Sequence, residues 1–564
     1  MRIFNKTPLA LGVAAGMAML VASTGAQAIS SGTDLNLSAH SRAGGMAGAA
    51  YTRPQEVSAA VAGNPATLTQ FSGVNFNFGA ALISITDLQV DTDTTLPAAL
   101  SSLAFHAEHE SDADNYIVPT LGLSLQVSPN LFIGLGLEAD AGLGADYRDS
   151  PLQLFAGAFA TANAAYDPVA NTLLGVPITG QCSDPQYTAI NEPLLCGLTG
   201  PVAAPLDVEV ISFNANIAAG YKVSEDLSLG ATVTIGFGLA QLGTVGTTTG
   251  FDAISDLVID PLAGAASNNG TLETGGILSD WGGTTASVHD IGFGWTLGAT
   301  YMVTDGITTS LTVKSPLEYK FQNILYADNN TTTGQNFGSS TPVKSDGWQD
   351  LDVEQPLEII VGVAFEDVLM NNLLVELDVV YKNWGDADAY RDAWKDQYLV
   401  ALGAQYAAGN WNFRAGYNYA SPILRDNPES TLGEIYGLGN LPLGKGAASI
   451  DGVPVAAPIV EALATDFIDI VQMSLLPVIW EHTVTAGVGY NFTDAVSVDA
   501  FVAYAFEEEE SRSLDIAALA ADVGISLLAG ATAIPPGVTG TQSSISVNSG
   551  SEIMVGLGIN VALP

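Results

Sequence analysis

Basic residues are scarce in this chain of 564 residues. It has 16 lysines and arginines against 59 aspartates and glutamates, which gives a net charge of −43. Nucleic acid is not expected as a partner of so acidic a surface. The chain holds only five histidines, and neither a G-x-S-x-G elbow nor an H-E-x-x-H helix is present. We therefore expect that the protein is not an enzyme and that it binds no cofactor and no metal.

Long hydrophobic runs are absent beyond the N-terminus. Residues 1–28 combine a short basic start, an apolar run from Leu9 to Ala22 and the small-residue site Ala26-Gln27-Ala28, which predicts a secretory signal peptide. After it, no apolar stretch reaches the roughly 18 to 20 residues that a membrane helix needs. The hydrophobic fraction is nevertheless 48%, as strands facing lipid would require.

Cysteine is nearly absent as well. The only two are Cys182 and Cys196, and both lie in one long loop, residues 143–206. In an exported protein this spacing predicts a disulfide bond that staples the loop. A zinc site would need further ligands close by.

Hydrophobic and polar residues alternate with a period of two in fourteen short segments. Short turns such as Ser128-Pro129, Asp305-Gly306 and Thr493-Asp494 alternate with long loops between these segments. This rhythm is typical of transmembrane β-barrels, which have short periplasmic turns and long external loops. The predicted strands are 74–86, 116–127, 130–142, 207–222, 226–240, 288–304, 307–321, 355–366, 371–385, 397–408, 410–420, 480–492, 496–508 and 550–562.

The alternation also predicts which wall of the barrel each side chain lines. In the segment from Leu373, the apolar series with Leu377 and Tyr381 should meet lipid, whereas Glu376 and Asp378 should face the lumen. A soluble β-protein with one wet face would also alternate. Aromatic residues near the strand ends favour the membrane.

A strand number of fourteen is intermediate between that of small barrels, whose interior is filled by side chains, and that of larger barrels, which hold an aqueous channel. Something should therefore fill or gate the lumen. Residues 29–72 precede the first strand and are rich in small residues, as in the stretch from Gly44 to Ala50. We predict that 29–72 form a plug and that 73–564 form the all-β barrel with its external loops.

Several motifs resemble the FadL family of outer-membrane long-chain fatty acid transporters, which includes aromatic hydrocarbon channels. The leader Ser41-Arg42-Ala43-Gly44-Gly45 followed by Gly63-Asn64-Pro65-Ala66 resembles the family's hatch. Lys314-Ser315-Pro316-Leu317-Glu318 resembles its basic-Ser-Pro strand, and the stretch from Gln355 to Ile423 is similar in order and spacing. The resemblance extends over nearly the whole mature chain.

The resemblance implies a monomer in the outer membrane of a Gram-negative bacterium, amid its lipid and lipopolysaccharide. It also implies passive transport of hydrophobic molecules, with release through a gap at a kinked third strand. Gly134, Gly136 and Gly142 are the candidates for that kink, although glycine is common in all strands. Long-chain fatty acids are the first expected cargo and aromatic or aliphatic hydrocarbons the alternative; a general porin or a surface enzyme would be a different class of function.

Candidate site residues follow from the facing of the strands. Basic lumen residues that could meet a carboxylate headgroup are Lys314, Lys382 and Arg414, although pairing with lumen acids such as Asp499 is the alternative role. Within the hatch, Asn64, Pro65 and Ala66 form the signature, and Arg42 is expected to tie the hatch to an acidic wall. Residues predicted to line an apolar pocket are Phe71, Leu374, Val380 and Phe501.

Overall fold

Fourteen antiparallel strands close into a barrel in the computed structural model of this chain. The predicted signal peptide, the two cysteines with their predicted disulfide bond and most of the long loops lie outside the residues that the structure describes. The described residues are 36–86, 88–95, 105–113, 115–147, 149–150, 206–244, 279–280, 288–326, 348–391, 393–425, 448–450, 453–455, 479–514 and 542–564.

Each barrel strand pairs with its neighbours in chain order, and the last strand pairs with the first from Val74↔Leu563 to Thr86↔Ser551. The fourteen-stranded barrel predicted from the sequence is confirmed. The strands are β1 Val74–Thr86, β2 Asn115–Gln126, β3 Leu131–Asp146, β4 Leu206–Lys222, β5 Leu227–Thr244, β6 Val288–Thr304, β7 Ile307–Lys314, β8 Glu358–Glu366, β9 Leu373–Lys382, β10 Gln397–Ala408, β11 Trp411–Ala420, β12 His482–Thr493, β13 Val496–Ala505 and β14 Ser551–Leu563.

The predicted facing of the side chains is confirmed on β9. Glu376, Asp378 and Lys382 are buried in the lumen, whereas Leu377 and Val379 are exposed on the outer wall. The same inside–outside alternation holds on β11 and β13. The period of two in the sequence therefore separates a polar inner wall from an apolar outer one.

Two predicted strands are shorter than expected, one at its end and one at its start, because proline interrupts the ladder. β7 stops at Lys314 before Pro316, and β8 starts at Glu358 after Pro356. Proline has no backbone N–H to donate to a neighbouring strand. Residues Leu317–Tyr326 and Trp348–Gln355 instead pair with each other in a separate hairpin.

Further short elements complete the described chain. On the side of the long loops, a four-stranded sheet forms from Gln89–Thr95, Phe105–Glu110, Glu509–Leu514 and Gln542–Asn548. None of the described helices is long and apolar enough to cross a membrane. The remaining described elements are the 3₁₀ helices Gly44–Met46, Pro65–Gln70 and Trp384–Asp386, the α-helix Val57–Ala62, and the strands Ser279–Asp280, Ala448–Ile450 and Val453–Val455.

A charge placed on the outer wall tests the facing of β9. We expect Leu377→Arg to lower the free energy of unfolding in lipid by about 2–4 kcal/mol, because Leu377 lies near the middle of a lipid-facing strand. Urea unfolding of the barrel in vesicles measures the change. Leu369→Arg, in the short turn between β8 and β9, is the control and should cost about 1 kcal/mol or less. Equal losses in both variants would contradict the assigned facing.

Candidate functional site

Residues 36–72 fold inside the barrel and fill its lumen. Nearly all side chains from Leu37 to Thr69 are buried. The 3₁₀ helix Gly44–Met46 packs on β10 to β13, the α-helix Val57–Ala62 on β1 to β4, and the 3₁₀ helix Pro65–Gln70 on β3 to β6. We call residues 36–72 the hatch; the predicted start of the plug at residue 29 lies outside the described residues.

A row of glycines on three neighbouring strands forms the seat for Asn64, Pro65 and Ala66. Gly220, Gly230 and Gly298 are paired across β4, β5 and β6. A Cβ atom on Gly298 would clash with the Asn64 side chain, and one on Gly230 would clash with the backbone of Pro65 and Ala66. The wall therefore carries glycine where the hatch backbone approaches it most closely.

The Asn64 side chain closes this contact with hydrogen bonds. Its Oδ1 accepts from the Ala66 backbone N–H at 3.1 Å and thereby caps the helix that begins at Pro65. Its Nδ2 donates to the Tyr51 carbonyl at 2.9 Å and to the Ala299 carbonyl on β6 at 3.4 Å. One amide thus fixes the fold of the hatch and its position on the wall.

Arginines on the hatch and on the wall share one carboxylate. Arg42 of the hatch donates from Nε to Asp499 Oδ2 at 2.8 Å, and Arg414 on β11 donates from Nη1 to Asp499 Oδ1 at 2.8 Å. Asp499 is fully buried. Arg42 was expected to tie the hatch to an acidic wall, and its bond to Asp499 is such a contact. Buried charges of this kind are retained only when they are paired.

Two wall carboxylates on β9 bind the hatch backbone directly. Glu376 accepts from the backbone N–H of Thr52 at 2.7 Å and of Arg53 at 3.2 Å. Asp378 accepts from the Tyr51 N–H at 3.2 Å. These bonds satisfy amide groups that the irregular hatch would otherwise leave buried without partners.

The three headgroup candidates all meet wall acids. Lys382 is fully buried with its Nζ 3.1 Å from Glu358 Oε1, and Arg414 pairs with Asp499. Lys314 lies 3.6 Å from Glu358 Oε2. It also lines a lumen cavity of about 40 Å³, together with Ala62, Glu138, Asp140, Asn214, Asn216, Thr234, Gln355 and Glu358. Acidic groups outnumber basic ones in that cavity.

The four predicted pocket residues all point inward but do not meet in one pocket. Leu374 packs with Met46, and Val380 packs with Leu37 and Tyr51 of the hatch. Phe71 ends the hatch and lines a larger cavity, of about 580 Å³, on the side of the short turns. Phe501 belongs to the apolar cluster described next.

An apolar cluster fills the lumen between the hatch and the long loops. At the loop side it includes Trp384, Tyr390, Trp394 and Trp480. The rings of the first three lie 4.5–5.0 Å apart between centroids: Tyr390 and Trp394 are stacked, and Trp384 meets both of them edge to face. The cluster continues without interruption to the wall residues Tyr116, Val118 and Ala139 on β2 and β3. We call this set the apolar path. Its other members include Ile83, Ile85, Phe213, Leu317, Tyr319, Phe321, Ala505, Val547 and Met554.

The apolar path reaches a stretch of wall in which two neighbouring strands are not paired, and we call this stretch the window. β2 and β3 are paired only from Gln126↔Phe132 to Leu121↔Leu137, although both strands continue further. Above that point a bulge inserts one extra residue, Asp140, between Ala139 and Ala141 of β3, which pair with the adjacent residues Phe213 and Ser212 of β4. The strands meet again at the top, where the Asp112 N–H donates to the Asp146 carbonyl at 2.9 Å.

Three glycines of β3 were the candidates for a bend in this strand, and two of them precede the bulge in the sequence. Gly134 and Gly136 are still paired with β2, and a Cβ on either would press on Val61 of the hatch. Their role is close packing of the hatch, whereas Gly142 lies above the bulge, in the part of β3 without a β2 partner.

Pro119 is the sequence signal for the window that strand prediction missed. It lies on β2 opposite Ala80 of β1, in the part of β2 that has no partner on β3. Proline within a strand indicates an edge, because it cannot donate to a ladder.

His40 ties the hatch to the lower edge of the window. Its Nε2 lies 3.2 Å from Glu138 Oε2, and Nδ1 lies 2.7 Å from Ser58 Oγ. Glu138 on β3 also accepts from Asn216 at 2.8 Å. Movement of the hatch would therefore pull on β3 two residues from the bulge.

Comparison with known proteins gives a family match over part of the chain and a similar fold. Residues 199–430 match the model of the family described as outer membrane protein transport protein (OMPP1/FadL/TodX). Among curated proteins, none matches the chain. The solved Pseudomonas putida toluene transporter TodX is 17% identical with a TM-score of 0.50, covering 93% of this chain and 99% of TodX. This likeness agrees with the barrel fold.

Two other solved structures are similar. The Ralstonia pickettii toluene transporter TbuX is 15% identical with a TM-score of 0.49, covering 94% of this chain and 100% of its own. A Pseudomonas aeruginosa FadL homologue is 13% identical with a TM-score of 0.49, covering 96% of this chain and 100% of its own.

Filling the glycine seat tests how the hatch is held. We expect Gly298→Val to displace Asn64 and loosen the hatch, because the added side chain would occupy the space of the Asn64 amide. Ion conductance of single barrels in planar bilayers should rise at least several-fold. Ala299→Val, on the adjacent outer face of β6, is the matched control. Equal conductance of Gly298→Val and wild type would show that the seat does not hold the hatch.

Proposed function

We propose that this chain, whose residues 199–430 match the model of the OMPP1/FadL/TodX family of outer-membrane transport proteins, is a member of that family and carries uncharged hydrophobic molecules passively across the outer membrane. The apolar path is the observation that carries this proposal. It joins the aromatic residues beneath the loops to the window between β2 and β3. The charged wall residues that contact the hatch are not part of it.

Capture at the loop side needs no energy source. A hydrophobic solute gains roughly 25 cal/mol for each Å² of apolar surface that it removes from water. Trp384, Tyr390 and Trp394 are buried against one another and form the apolar start of this path. The protein therefore provides an apolar route past lipopolysaccharide, which resists such solutes.

Release is proposed to occur sideways through the window into the bilayer. The charged contacts of the hatch lie on the other side of the path, at Asp499, Glu376 and Asp378. A hydrophobic molecule that continued straight through the barrel would have to cross them. The window at Val118 and Ala139, flanked by the acidic residues Glu138 and Asp140, offers a sideways exit from the apolar path to lipid.

The charges of the lumen favour uncharged cargo. Arg42 and Arg414 share Asp499, and Lys314 and Lys382 share Glu358. A carboxylate headgroup would have to break one of these pairs, and separating a buried pair costs about 3–5 kcal/mol. Hydrocarbons, such as the toluene that TodX is named for, require no such exchange.

Long-chain fatty acids are the second candidate cargo, and Lys314 is the observation in their favour. It has the longest of these ion pairs and is the one headgroup candidate of the three that lines the 40 Å³ cavity. The acids Glu138, Asp140 and Glu358 in the same cavity oppose a carboxylate.

Uptake measurements separate the two cargoes. In a Gram-negative host lacking its own transporter of this family, we expect the protein to raise initial uptake of toluene and dodecane at least several-fold over an empty vector. Lys314→Gln should leave this gain unchanged, whereas a gain for oleate that Lys314→Gln abolishes would identify fatty acids as cargo. Unchanged uptake of every apolar probe, with a large steady conductance of the wild type, would instead indicate a general porin.

Removal of the bulge tests lateral release. We expect deletion of Asp140 to let β3 continue its regular ladder and close the window, because Ala139 and Ala141 already pair with adjacent residues of β4. Uptake of dodecane should fall about tenfold or more while the barrel still assembles, as its heat-dependent electrophoretic mobility would show. Deletion of Gly409, in the short turn between β10 and β11, is the control. Full uptake after Asp140 deletion would argue against release through the window.

A further inference from the structure

Glu552, near the start of β14, places a carboxyl group within the apolar path. The side chain is fully buried. Its partners across the neighbouring strands are Ile85 on β1 and Ala505 on β13, and Met554 is the next inward residue of its own strand. All three of these neighbours belong to the apolar path.

Neither carboxyl oxygen of Glu552 has a hydrogen-bond partner among the described residues. The other buried acids of the lumen differ: Glu376 and Asp378 accept hatch amides, and Asp499 accepts two arginines. A buried polar group without a partner costs stability, and an apolar side chain of similar size would avoid the cost. Such a group points to a partner that arrives with the cargo.

The chemistry of that partner follows from the surroundings. A carboxylate ion is far more costly than a neutral carboxyl group to bury among apolar side chains. A neutral carboxyl group offers one O–H donor and one carbonyl acceptor. A hydroxyl group both donates and accepts, so it can satisfy this carboxyl group without adding charge to the apolar path.

We propose that Glu552 binds the hydroxyl group of an otherwise apolar cargo molecule, either a long-chain alcohol or an alkylphenol. The apolar body of the cargo packs on Ile85, Ala505 and Met554 while its hydroxyl group meets the carboxyl group. Glu552 thereby selects hydroxylated molecules over the corresponding hydrocarbons. This assignment rests on the proposed transport function, because the cargo must enter the apolar path to reach Glu552.

Uptake by the same host, at limiting probe concentration, tests the assignment with dodecane, 1-dodecanol and 4-octylphenol. In Glu552→Leu, uptake of the hydroxylated probes should fall about fivefold relative to dodecane, as loss of one buried hydrogen bond would cause. Glu552→Gln should keep most of the preference, since an amide also donates and accepts. Glu507→Leu, on the exposed stretch after β13, is the matched control. A fall for one hydroxylated probe alone identifies that class as the ligand.

Folding of the variants is measured separately by thermal unfolding. Glu552→Leu should raise the Tm of the barrel, since it removes a buried group without a partner. An unchanged preference for the hydroxylated probes in Glu552→Leu would overturn the assignment while dodecane uptake still supports transport. Preferred uptake of dodecyltrimethylammonium, lost in Glu552→Gln, would overturn it in favour of an ionised carboxylate. No uptake of any probe by the wild type would overturn the transport function and this assignment together.

Discussion

Backbone pairing in a membrane is the constraint on which the rest of this structure depends. No water is present in the hydrocarbon core to satisfy a free N–H or C=O group, so the strands must close into a barrel. The pairing of β14 with β1 completes that closure. The proposed release of cargo through the wall requires a local exception, and the unpaired stretch between β2 and β3 is one. Pro119 reduces its cost, because β2 has one N–H fewer to satisfy there.

Closure also creates an interior with two regions, a polar one around the hatch and an apolar one towards the loops. Around the hatch, acids such as Glu376 and Asp499 satisfy the amides and cations of an irregular chain, so the charges hold one another in place. Towards the loops, the interior is apolar from Trp394 to Ala139. Polar contacts hold the hatch across the lumen, and the apolar cluster is the proposed route for hydrophobic solutes. Glu552 breaks this division, which is why it stands out as a site of selection.

Alternation along the strands made much of the site predictable. The inward direction of Lys382, Arg414, Leu374 and Phe501 followed from a period of two. The pairing of Arg42 with an acidic wall followed instead from the cost of an unpaired buried charge. The glycine row at Gly230 and its neighbours was not predictable, because it depends on which residues lie opposite one another across strands. The position of the bulge was missed for the same reason: glycines mark where a strand can bend, whereas register determines where it does.

The sequence by itself determined the barrel, its strand number, the facing of each wall and the presence of a plug, because these follow from local periodicity and from the alternation of turns and loops. Only the tertiary structure decided which charges meet, where the wall opens and which carboxyl group is left without a partner. Those properties depend on contacts between residues far apart in the chain, such as Arg42 with Asp499 or Glu552 with Ile85. Local patterns carry no information on such distances.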